Sequence, residues 1–150
     1  MKNLNELRIP KSLKKILAEE SIWEEDAYAP FYLSVHDATG EVLYEVYISP
    51  HAAGESRDGG WVAVDEIGLA DINAELERAG FEVNGYGWEK AIFTYLAQKA
   101  PGFGEQVAGD SDTEACVLYT STEADFRRLL ALLWELVQHP QEISQLDIRL

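Results

Sequence analysis

Residues 83–91 read VNGYGWEKA, and a Gly-x-Gly at the start of a helix is a pattern that can cradle a phosphate. The dinucleotide version needs a third glycine three residues on, and Lys90 stands there. Glu89, read as lying in the first helical turn, would itself answer the helix dipole and repel a phosphate, and Glu82 adds to that charge. The stretch therefore reads as a joint. Asn84-Gly85 is a turn pair in which both residues tolerate positive φ, Gly87 sharpens the turn, and Trp88 is planted beneath the helix.

Asp110-x-Asp112-x-Glu114 is the next arrangement that could do chemistry, since alternating carboxylates can gather around calcium. A calcium loop counted from Asp110 requires glycine at its sixth position and a bidentate acid at its twelfth, and these are Ala115 and Ser121. The segment reads as an acidic solvent loop leading into a strand, able to meet a basic protein surface. His36, His51 and His139 share no metal-ligand spacing, so no metal is expected. Asp65-Glu66 and Glu24-Glu25-Asp26 are adjacent acids, which is no sign of a shared cleft. Cys116 lies within an apolar run beside Val117 and Leu118, the setting of inert filler. There is no nucleophile elbow and no Walker loop. The chain is read as a non-enzyme without cofactors.

The elements that position these residues follow from periodicity. Pro10 opens a short helix over 11–20, with Leu13, Ile16 and Leu17 on one side. Phe31, Leu33 and Val35 alternate with Tyr32, Ser34 and His36, and Val42, Tyr44, Val46 and Ile48 resume the alternation after a DATG turn. Residues 30–49 thus predict a β-hairpin. A third strand is expected at 61–64 after a loop over 50–60, and a fourth at 114–121. Helices are expected over 68–79, capped by Gly80, then from Trp88 to Pro101, and over 122–138. Trp88, Ala91, Ile92, Tyr95 and Leu96 form one helical stripe, and Leu132 and Leu136 widen that of the last helix beyond one face. The fold class expected is α+β, a mainly antiparallel sheet of about four strands with two or three helices on one face.

The chain has 150 residues, enough for one domain with a real core, and its net charge is −15. That charge is uneven: residues 1–17 carry +4, whereas 18–126 carry 23 acids against 4 bases. Such a field repels nucleic acid and anionic lipid and speeds encounter with basic partners. No apolar run approaches a membrane span, the first residues lack an apolar signal region, and a single cysteine suits a reducing compartment. These features lead to the expectation of a cytoplasmic protein that binds neither membrane nor nucleic acid.

The run NGYGWEKAIFTYL at 84–96, followed after a spacer by DTEACVLYTSTEADFRRLLALL at 112–133, resembles the immunity protein 51 family of bacterial polymorphic-toxin and contact-dependent competition systems. Asn84, Gly85, Tyr86 and Trp88 match its first element, and Asp112, Glu114 and Ala115 its second. The resemblance spans about 30–137, which leaves 1–25 as a helical extension and the residues after Pro140 as a short tail of a single domain. It implies a protein that binds and neutralises a cognate toxin domain, with a basic nuclease as the expected kind. Glu82, Asn84, Tyr86, Asp110, Asp112 and Glu114 are the candidate contacts, being polar and outside regular elements. The alternative reading is a small-ligand or enzymatic domain with a pocket lined by Trp61, Tyr86, Trp88 and Tyr95.

Overall fold

A computed structural model describes residues 2–28, 30–50, 54–55, 61–62 and 69–146. The hairpin is its spine: β2 (Phe31–Ala38) and β3 (Glu41–Ile48) pair antiparallel along their full length. Thr39 and Gly40 form the two-residue connection with φ of 52° and 88°, the double positive φ of a type I′ turn, whose twist matches that of the strands. The Asp37 carboxylate accepts the Gly40 N–H at 2.8 Å. A β-branched residue is a poor occupant of the left-handed region. Thr39→Asn should therefore stabilise the chain by about 0.5–1 kcal/mol, read as a higher chemical-denaturation midpoint at unchanged slope.

Five strands build the open antiparallel sheet, in the order β1 (Ile22–Glu25), β2, β3, β7 (Cys116–Thr120) and β6 (Ala108–Gly109). The expected fourth strand is β7 (Cys116–Thr120), seated against β3. The two edges were not anticipated: β1 (Ile22–Glu25) flanks β2, and β6 (Ala108–Gly109) flanks β7. The expected third strand does not join this sheet. Its first two residues form β5 (Trp61–Val62), paired with β4 (Gly54–Glu55) in a separate ribbon, while 63–64 lie outside the described residues. His51, Asp65 and Glu66 lie outside them too.

One face of the sheet carries the core. Phe31, Leu33, Val35, Val46, Ile48, Cys116 and Leu118 are all buried there. Against them pack α2 (Ala70–Ala79), α3 (Gly85–Lys99) and α4 (Glu123–Gln138), while α1 (Leu13–Glu20) lies beside β1. Each helix boundary has a local cause. Gly80, at φ 91°, closes α2 in a Schellman motif: its N–H donates to Glu77 O and that of Phe81 to Leu76 O. The Thr122 hydroxyl accepts the Asp125 N–H at 3.1 Å and caps α4. On α4, Phe126, Leu129, Leu130, Leu133 and Leu136 are buried and Leu132, Trp134 and Val137 half-buried, the wide stripe expected.

The first 25 residues do more than extend the domain. Leu4 and Leu7 are buried in the same core, and the Arg127 guanidinium donates to Leu7 O at 2.9 Å, tying this segment to α4. Beyond α4, a 3₁₀ turn (Pro140–Gln145) buries Ile143 against α2.

Candidate functional site

The N-terminus of α3 meets the loop before β7, so the structure brings the two matched segments into contact. Asn84 caps the helix: its side-chain oxygen accepts the Gly87 N–H at 2.8 Å, and its amide donates to Glu82 Oε2 at 3.0 Å. The Gly85 N–H points to Thr113 O at 3.4 Å, and that of Trp88 to Asn84 O at 3.0 Å. Three of the first four donors of the helix, those of Gly85, Gly87 and Trp88, are thus spent inside the protein, which leaves little for a phosphate.

The expected turn chemistry of 84–87 is corrected. Asn84 has φ −153°, an extended conformation, and neither Gly85 nor Gly87 is among the positive-φ residues. What the glycines supply is room. A Cβ on Gly85 would land on the carbonyl oxygens of Asp112 and Ala115, and one on Gly87 on the carbonyl oxygen of Glu82. Glu89 is also corrected. With α3 starting at Gly85 it lies beyond the first turn, where its Oε1 accepts the Ser111 hydroxyl at 2.9 Å. Ser111 Oγ in turn accepts the Val117 N–H at 3.0 Å.

Of the six predicted contacts, Glu82, Tyr86, Asp110, Asp112 and Glu114 are exposed, with Tyr86 51% exposed, and Asn84 is half-buried. Glu82, Asn84 and Asp112 also spend polar atoms on the fold, Glu82 by accepting the Asn84 amide. Asp112 Oδ1 accepts the N–H groups of Glu114 and Ala115, each at 2.8 Å, and so shapes the loop that receives Gly85. Asp112→Ala should cost about 1 kcal/mol, as loss of a side-chain cap does, while Asp110→Ala and Glu114→Ala should stay within about 0.5 kcal/mol in the same urea titration.

Three of the four aromatics of the alternative reading have described side chains. Trp88 and Tyr95 are buried in the core and Tyr86 faces outward; the Trp61 side chain lies outside the described residues. Trp88 Nε1 donates to Asn73 Oδ1 at 2.9 Å, and the Asn73 amide donates to Pro50 O at 2.9 Å, so the indole is held by a polar relay. The buried Tyr95 hydroxyl has its pKa raised, first by burial and then by the charges of Glu135 and Glu142. Burial likewise pushes the Cys116 thiol up to about 12, consistent with an inert strand cysteine. Among the described residues no group of three or more His, Cys, Asp or Glu could hold a metal ion, and no helix is long and apolar enough to cross a membrane.

The feature that sequence reasoning missed is the second face of the sheet. Strand alternation places Ile22, Glu24, Tyr32, Ser34, His36, Leu43, Glu45, Tyr47, Val117 and Tyr119 opposite the core, and none of them is buried. Ile22 and Tyr47 are 37% and 38% exposed. The described strand residues of this face include three glutamates (Glu24, Glu41 and Glu45) and no lysine or arginine. Asp112 and Glu114 stand at its border: after burial, their charges are the next largest causes of the raised Tyr47 pKa. The signal was present in the polar half of the alternation over 31–36.

Comparison with known proteins finds no family model, no curated protein and no solved structure that matches this chain.

Proposed function

We propose that this chain is an immunity-type inhibitor that binds and neutralises a basic toxin domain, a nuclease being the expected kind, through its acidic surface. The observation that carries the reading is the sheet face opposite the core, where tyrosines and aliphatic side chains sit among carboxylates and the described strand residues include no lysine or arginine. Exposed apolar and aromatic area with a polar rim is the make-up of a protein-binding surface. The charge around it selects the sign of the partner: 18–126 carries 23 acids and 4 bases, and a nuclease groove built for phosphates is basic. The likeness at 84–88 and 112–115 to the immunity protein 51 family supports the same reading, and Asp112 and Glu114 join that segment to the open face. In this account the protein acts in the cytoplasm by occupation and performs no chemistry. Co-expression with the toxin encoded beside it should restore growth. Growth arrest unrelieved at matched expression would count against the proposal.

A further inference from the structure

A groove of about 230 Å³ crosses the open face, lined in part by Glu24, Glu25, Tyr32, Ser34, Glu45 and Tyr47. It is smaller than the roughly 300–1,000 Å³ of a small-molecule site, and its size suits a single inserted side chain. The Tyr32 and Tyr47 rings meet edge to face, with centroids 6.2 Å apart and planes at 70°. Cross-strand pairing of these residues in β2 and β3 fixes the pair. Glu24 and Glu45 flank Ser34 from the two sides, since both pair with it across the strands. Glu45 Oε2 lies 3.7 Å from His36 Nε2, and Glu25 Oε1 accepts the Ala27 N–H at 3.3 Å. Among the described residues the lining includes no lysine or arginine. A wider hollow of about 730 Å³ at the N-terminal segment differs in this respect, because Lys2 and Arg8 line it along with Glu6 and Glu25.

From this juxtaposition we infer that the groove is the anchor pocket of the interface and takes an arginine side chain of the partner protein. A guanidinium can stack on a tyrosine face while pairing in its plane with carboxylates, and two rings beside Glu24 and Glu45 offer both contacts. An ammonium offers a point charge and exploits the rings less fully. Buried arginine and tyrosine contacts of this kind dominate interface energies.

The inference takes its partner from the function proposed above, but its chemistry can be tested apart from it. The full chain, with its tyrosine rings isotope-labelled, would be titrated with a short Gly-Arg repeat peptide and with its lysine counterpart. The Tyr32 and Tyr47 resonances should shift and those of buried Tyr95 should not, with the arginine peptide binding more tightly. In the toxin complex, Tyr47→Ala should weaken binding about five- to thirty-fold, and Glu24→Gln, a change at an exposed position, should weaken it about two- to five-fold. Unmoved tyrosine resonances at millimolar arginine peptide would overturn the pocket. So would a toxin affinity within about twofold of wild type in both variants, and that result would leave the immunity reading intact. Peptide shifts in a chain that binds no toxin would uphold the pocket and overturn the immunity reading.

Discussion

Gly87→Ala is expected to destabilise the protein by about 3 kcal/mol or more, which lowers the melting temperature of a chain this size by roughly 6–12 °C. Helix propensity alone predicts the opposite, because replacing an interior helical glycine by alanine ordinarily gains about 0.5–1 kcal/mol. The sign reverses because of what occupies the space. The added methyl would overlap the Glu82 carbonyl oxygen, a backbone atom in the chain entering the helix. That chain is held by the Schellman closure at Gly80 on one side and by the Asn84 cap on the other. Gly85→Ala meets the same obstacle from across the molecule, in the carbonyls of Asp112 and Ala115. Gly104→Ala is the matched control. Its Cβ would find only Phe93 Cδ1 at 3.8 Å, an ordinary contact, so the change should stay within about 0.5 kcal/mol. Calorimetric melts of the three variants check this. A Gly87→Ala protein that melts at or above wild type would show that the start of α3 can slide away from 82 and 112–115.

Trp88→Ala should cost about 3–5 kcal/mol, the range for truncating a large buried side chain. Trp88 is 3% exposed and sits where α3 approaches α2, so little around it can collapse into the gap. Part of the loss is polar. Trp88→Phe keeps most of the bulk but leaves Asn73 Oδ1 without its donor, at about 1–3 kcal/mol. Combining Trp88→Phe with Asn73→Ala should cost less than the sum of the two, because both changes break one hydrogen bond. Urea titrations of the four proteins in that cycle measure the coupling. Strict additivity would mean that the indole hydrogen bond contributes nothing to stability.

These two sites show what a sequence displays and what it conceals. The hairpin was legible because alternation over 31–36 and 42–48 is set by local burial, and the α3 stripe because Trp88 through Leu96 keep helical spacing. The edge strands were not. Ile22–Glu25 spans barely two periods, and Ala108–Gly109 offers no pattern; both are strands because β2 and β7 present unpaired edges to them. The Gly-x-Gly was legible as a joint, but not as a matter of space, since the atoms it must avoid include carbonyls in a segment distant along the chain. Polarity marks loop residues as contacts in a sequence but does not separate a contact from a fold-building group. The Asp112 carboxylate, polar and in a loop, builds that loop by accepting two of its N–H groups. The open face needed the fold: Tyr32, Tyr47, Glu24 and Glu45 come from three strands that only pairing brings together.

Association kinetics test the proposed docking of a basic toxin domain on this acidic face. Stopped-flow mixing with the adjacent toxin domain at rising salt should give a rate constant that starts well above an unsteered value of about 10⁵–10⁶ M⁻¹s⁻¹ and falls steeply as screening shortens the reach of the field. Glu24→Gln with Glu45→Gln should flatten that slope. No complex at micromolar concentrations, or an association rate indifferent to salt, would contradict it.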